Sequence, residues 1–192
     1  MRFFNRTKVV HEPSYSQNWE LGHGTSVVTD GVSETVLARI SITSGSNCSI
    51  DLSGLATLNT SLQIFMSDGC HLILGEGMMV NGALRLFMHE PSSITIGSHC
   101  LFGGGDVWTS DMHSILDKDT GERLNPAESI VIDDRVWLGA EVLILGGSRV
   151  GRDSVVAARS LVTGKTFPDN SVIGGQPAKV LRSNVVWDIR IR

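Results

Sequence analysis

Between Ile132 and Val162 an aliphatic side chain recurs at every sixth position: Ile132, Leu138, Ile144, Val150, Val156 and Val162. Four residues after each comes a small or β-branched one: Val136, Val142, Ser148, Ser154, Ser160 and Thr166. A helix repeats every ~3.6 residues and a strand every ~2, so neither generates this beat. A chain that turns a triangular corner every six residues does, sending one aliphatic side chain per face into a narrow prism. Such a repeat reads as an all-β fold, a parallel β-helix.

The phase runs backward through Ile96 and Phe102 to Trp108, which it marks as packing or as a pocket wall. Further upstream, apolar pairs recur as Ile40/Ile42, Ile50/Leu52, Leu62/Ile64, Leu72/Leu74, Leu84/Leu86 and Ile94/Ile96, with an overall period of 22 residues. Such i, i+2 pairs are short strand signals. The period stacks Cys48, Cys70 and Ser92; Leu58, Val80 and Phe102; Asn59, Asn81 and Gly103; and Phe65 over Phe87. A triangular rung needs 18 residues, so each early rung carries four extra, around Thr43–Ser46, Phe65–Asp68 and Phe87–Glu90. One edge of the prism should therefore bulge. At that edge the fourth rung leaves altogether, since Trp108 and Ile132 lie 24 residues apart where six suffice. The excursion, 109–129, mixes apolar and charged residues, and a long loop on a compact scaffold is usually functional.

The expected organisation is a cap over 1–35, with Tyr15 and Trp19 as anchors onto the first rung, a β-helix over 36–168 and a tail over 169–192. No apolar run approaches the length of a membrane span, and MRFFNRTKVVHE has no hydrophobic segment after its basic residues. A secretory leader is not expected, and a cytoplasmic location is. A net charge of −4 argues against nucleic acid as the main partner. Three cysteines without CxxC spacing read as reduced, packed thiols.

With these columns in place, the loop SDMHSI, the stretch VWLGAEVLILGGSRVG and the terminal NSVIGGQPAKVLR resemble the hexapeptide-repeat acyltransferases of the left-handed parallel β-helix type. The Trp108–Ile115 run followed by TGERLN is similar to the capsular, exopolysaccharide and sialic acid O-acetyltransferases. That resemblance implies an acetyl-CoA-dependent O-acetyltransferase acting on a sugar hydroxyl of a surface polysaccharide, with no metal. It also implies a homotrimer whose sites lie between subunits.

His113 is then the expected general base, as imidazole titrates near neutrality and a sugar hydroxyl is a poor nucleophile until its proton is taken. Asp111 and Asp117 are candidates to orient it, as is a backbone carbonyl. Trp137 adjoins an inward corner and should itself point outward; the resemblance puts it beside the thioester. The resemblance further assigns Gly139, Ala140, Ala157 and Ala158 to the pantetheine groove, and Ser160, Thr163 and Lys165 to the end of the repeat. There the inserted Gly164 departs from the family pattern. Gly174, Gly175 and Pro177 would turn over the adenine, and Lys165, Lys179 and Arg182 would meet CoA phosphates, which need mobile or forked donors. Arg159 stands where the family commonly has glycine and would narrow the groove or add a phosphate contact.

Other chemistries fare worse. Neither GxxxxGK[ST] nor GxGxxG occurs between a strand and a helix. A β-helix carbonic anhydrase would gather three histidines, but His71, His89, His99 and His113 lack close paired spacing, and the columns set His99 beside Gly77. An amino-sugar N-acetyltransferase or a non-catalytic assembly subunit remain as alternatives. For the acceptor, Asp106, Asp111, Asp117, Asp119 and Glu122 suit neutral hydroxyls, while Arg123 and Arg135 could read a sugar carboxylate.

Overall fold

The computed structural model describes residues 18–191. Among these the strands form three sheets of seven, visited in turn by the winding chain. The first face holds Trp19–Glu20, Ile40–Ser44, Leu62–Met66, Leu84–Met88, Gly105–Trp108, Val142–Leu145 and Leu161–Val162. Ser26–Val28, Ser49–Asp51, His71–Leu74, Ser93–Ile96, Ile130–Ile132, Arg149–Val150 and Thr166–Phe167 make the second. On the third lie Leu55–Leu58, Met78–Val80, Leu101–Phe102, Trp137–Leu138, Val155–Val156 and Ser171–Gly175, with Ala178–Ser183 added as an antiparallel edge. All other pairings are parallel, so this is the expected three-sided solenoid.

Each six-residue step moves the aliphatic side chain to the next face: Ile132 on the second, Leu138 on the third, Ile144 on the first. Stacked rungs lie ~4.8 Å apart, within van der Waals reach of one another's side chains. Ile64, Leu86, Val107, Ile144 and Val162 thus form one buried column, and Leu58, Val80, Phe102, Leu138, Val156 and Ile173 another. The small positions turn the corners. Ser148, Ser154 and Ser160 are buried, and each hydroxyl donates to a backbone carbonyl. Cys48, Cys70 and Cys100 serve likewise, with Cys70 Sγ 3.1 Å from the Glu90 carbonyl. Burial pushes the Cys100 thiol up to about 12, which makes it an inert packing group.

Three expectations change in detail. Trp108 is not on the inward phase: Val107 is, because Gly103–Gly105 turn their corner one residue short, with φ of 102° at Gly104 and 140° at Gly105. Trp108 instead lies on the outside of the first face, 5.2 Å from the Phe87 ring. The four extra residues of the early rungs partly lengthen first-face strands, burying Met66 and Met88, so that face widens as well as its edge. Finally, the described part of the segment before Thr35, residues 18–34, continues the prism. Trp19–Glu20 and Ser26–Val28 pair with the next rung, and Trp19 Nε1 donates to the Ile40 carbonyl at 3.0 Å. Tyr15 lies outside the described residues.

Candidate active site

The excursion leaves at the corner between the first and second faces, as its length predicts. Its base is closed by the Glu128 amide donating to the Thr109 carbonyl at 3.0 Å, and by Thr109 Oγ1 lying 2.7 Å from Ser92 Oγ. Beyond that base it folds as a small hairpin. The Leu124 amide donates to the Ile115 carbonyl, the Asp117 amide to the Glu122 carbonyl, and the Asp117 carboxylate caps the turn by accepting from the Asp119 and Thr120 amides. Those bonds hold Asp117 below the usual carboxylate range and leave it committed to the turn.

One ion pair fastens the hairpin to the prism. Arg123 meets Glu90, on the rung above, through two bonds of 2.7 Å, and Ser110 Oγ donates to the same carboxylate at 2.7 Å. Arg123 also donates to the Asn125 carbonyl at 2.9 Å. Asn125 spans the hairpin: its Nδ2 donates to Asp111 Oδ2 and to the His113 carbonyl, both at 2.9 Å, and its Oδ1 accepts from the Ile115 amide at 2.6 Å. The backbone on both sides of His113 is therefore fixed, while its imidazole is exposed and meets no hydrogen-bond partner among the described residues. No bond joins Asp111 to that ring among the described residues; its Oδ2 accepts from Asn125 instead. Neither Arg123 nor Arg135 is a free anion reader, since Arg123 is paired with Glu90 and Arg135 with Asp153 at 2.6 Å.

The guanidinium of Arg123, helped by the Ser110 hydroxyl, lowers Glu90 from its ordinary 4.5 to about 2. A depressed carboxylate stabilises the fold fully above its unfolded value and loses that contribution as pH falls through the folded one. The hairpin should thus loosen between pH 4.5 and about 2 while the prism persists. Hydrogen exchange resolved over 110–125 should quicken in that window ahead of the core strands; simultaneous exchange of loop and core would oppose it.

Most of the other residues expected at the site fall on or beside two corners. Gly139, Ala140, Ala157 and Ala158 follow third-face strands and line the corner leading to the first face, where a Cβ on Gly139 would stand 2.6 Å from the Ala158 amide nitrogen. Arg159 lies exposed at this corner, paired with Glu141 at 2.7 Å, and accepts at its carbonyl from Gln176 Nε2. Gly175 and Pro177 make the tight hairpin into Ala178–Ser183, which carries exposed Lys179 and Arg182. Thr163 and Lys165 instead follow a first-face strand and lie below the loop, Thr163 lining a cleft of about 280 Å³ with Ser110, Asp111 and Asn125. Ser160 is 2 % exposed with its hydroxyl turned to the Ala157 carbonyl, so it braces the corner. Trp137 points outward, 40 % exposed, on the third face. In a triangular section that face lies opposite the corner bearing His113.

Sequence reasoning missed Glu90, Ser110 and Asn125. Glu90 pairs across 33 residues, and no local pattern announces that. Asn125 was within the singled-out TGERLN, and a short amide between two turns of chain is a common loop staple.

No family model matches the chain. A polysialic acid O-acetyltransferase of Neisseria meningitidis is 30 % identical over 179 residues, spanning 85 % of this chain and 82 % of the relative. A solved polysialic acid O-acetyltransferase superposes with a TM-score of 0.65 at 28 % identity, over 91 % of this chain and 92 % of its own. A hexapeptide-repeat acetyltransferase of Vibrio cholerae, solved with acetyl coenzyme A, gives a TM-score of 0.53 at 28 % identity, over 70 % and 72 %. Fold and relatives together define an acyltransferase built on a left-handed parallel β-helix. The chain belongs to the hexapeptide-repeat acetyltransferases, and polysialic acid O-acetyltransferases are among its relatives. No helix among the described residues is long and apolar enough to cross a membrane, and none of their His, Cys, Asp and Glu side chains gather in threes fit for a metal.

Proposed function

We propose that this protein transfers acetyl groups from acetyl-CoA to a hydroxyl of a bacterial surface polysaccharide, in the cytoplasm, with His113 as general base. The observation that carries this reading is the free imidazole of His113 on a hairpin whose backbone is fastened by Asn125 and by the Glu90–Arg123 pair. A basic nitrogen in that setting takes the acceptor's proton as its oxygen attacks the thioester carbonyl. The tetrahedral adduct expels the CoA thiolate, which recovers the proton from the imidazolium. An acetyl ester and the free thiol result, without an acyl-enzyme.

The site is completed by a second copy of the chain. Trp137 lies across the prism from the loop, so a thioester touching both residues must lie between two copies. The hairpin also presents Met112, Ile115, Leu116 and Leu124 to solvent, an apolar surface that a neighbour would cover. Closed cyclic packing of three prisms covers such surfaces without forming filaments. The small residues Gly139, Ala140, Ala157 and Ala158 form the pantetheine groove, and the tail over 169–192 reaches the nucleotide end through Gly175, Pro177 and Lys179. Thr163 and Lys165 approach from the corner that bears the loop.

Acceptor-dependent thiol release from acetyl-CoA tests the reaction. Polysialic acid, galactosides and amino sugars are offered in turn. The expected product is an ester, cleaved by hydroxylamine. An acetylated amino sugar that resists hydroxylamine would replace this reading with amide formation.

Lys179→Ala should raise KM for acetyl-CoA with little change in kcat, because a remote phosphate contact helps ground and transition states alike. With dephospho-CoA thioesters the variant should match the parent protein. Equal losses with both donors would remove Lys179 from the 3′-phosphate.

A further inference from the structure

The last described residues, 184–191, return along the outside of the prism to the neighbourhood of Trp137. After Ser183 the chain turns at Asn184, with φ 59°, and Val185 is clamped to Asn170. The Val185 amide donates to the Asn170 carbonyl at 2.9 Å, and Asn170 Nδ2 donates to the Val185 carbonyl at 3.1 Å. That clamp delivers Trp187 to the corner before the third-face strand Trp137–Leu138. Its indole Nε1 donates to the Arg135 carbonyl at 2.6 Å, and the Arg135 guanidinium, held by Asp153, lies 5.8 Å from the ring centroid. The Trp187 and Trp137 rings are 6.1 Å apart, tilted by 47°.

Trp187 therefore meets the Trp137 ring directly and also holds the backbone two residues before it. The sheet neighbours of Trp137 are Leu101 and Val155, aliphatic side chains that offer its indole no aromatic ring to pack against. No hydrogen bond holds the Trp137 indole nitrogen among the described residues. An edge-tilted aromatic partner supplies the missing constraint. Trp187 has no part in the buried core, so packing of the prism does not account for it.

We propose that Trp187 is a positioning residue that sets the orientation of the Trp137 indole, and through it the placement of the thioester. This rests on Trp137 belonging to the donor site. A misplaced reacting group costs rate more than binding, so the loss should fall on kcat.

The test uses the full chain with 5-fluorotryptophan incorporated, and follows both transfer and the ¹⁹F resonance of Trp137. Trp187→Ala should lower kcat about tenfold, leave KM for acetyl-CoA within about twofold, and shift or broaden the Trp137 resonance without lowering Tm appreciably. Trp187→Phe, which keeps a ring but loses the bond to Arg135, should fall between. Trp137→Ala should cost at least as much, and adding Trp187→Ala to it should cost nothing further, since coupled residues are non-additive. If Trp137→Ala slows transfer but Trp187→Ala changes neither kcat nor the resonance, the positioning role is wrong. If Trp137→Ala leaves transfer intact, the donor-site assignment beneath it fails as well.

Discussion

His113→Ala is expected to cut acetyl transfer by about 10²–10⁴-fold, the usual contribution of a general base. Acetyl-CoA affinity and Tm should hardly move. The side chain is exposed and unpartnered among the described residues, so its removal breaks no packing and strands no buried group. His113→Gln should fare no better, because an amide can accept a hydrogen bond but cannot take a proton at neutral pH. Single-turnover rates together with calorimetric titration of acetyl-CoA separate the two quantities. A variant that folds, binds donor and turns over at the parental rate would put the base elsewhere.

The second large effect is expected at a residue that takes no part in the chemistry itself. Glu90→Ala removes the carboxylate that receives both arms of Arg123 and the Ser110 hydroxyl. Arg123 then keeps only the Asn125 carbonyl, and the hairpin bearing His113 loses its tie to the prism. Displacement of a catalytic group by about 1 Å can cost on the order of 10²-fold in rate, so kcat should fall by roughly 10- to 100-fold. Hydrogen exchange should speed up over 110–125 alone. Arg123→Ala should do nearly the same, and the double variant should be little worse than either, because the two side chains act as one unit. Additive losses, or unchanged loop protection, would mean that the pair is incidental.

Much of the prism was legible because its constraint is local and periodic. Only an apolar side chain fits where three faces converge, and that need recurs every six residues from Ile132 to Val162. The 22-residue period similarly foretold the ladder in which Asn59 Nδ2 donates to Asn81 Oδ1 at 2.8 Å. The phase failed at Trp108 because three consecutive glycines let the chain turn in five residues, which no count of six anticipates. The beat also held unread information about the site. Ala157 follows a third-face position and Thr163 a first-face one, which already sets these two on different corners. What sequence could not supply is the long-range pairing. Glu90 with Arg123 and Trp187 with Arg135 join residues 33 and 52 apart, brought together only by the winding of the solenoid.

The shared site is the central claim, and subunit mixing tests it most directly. His113→Ala and Trp137→Ala chains, each nearly inactive alone, are unfolded together in equal amounts and refolded. If each site takes its histidine from one copy and its tryptophan from the next, every mixed trimer regains one intact site, and about a quarter of all sites become wild-type. Transfer should recover to about that fraction of the parental rate. If the mixture stays as inactive as its components, each chain carries a complete site and the account is contradicted.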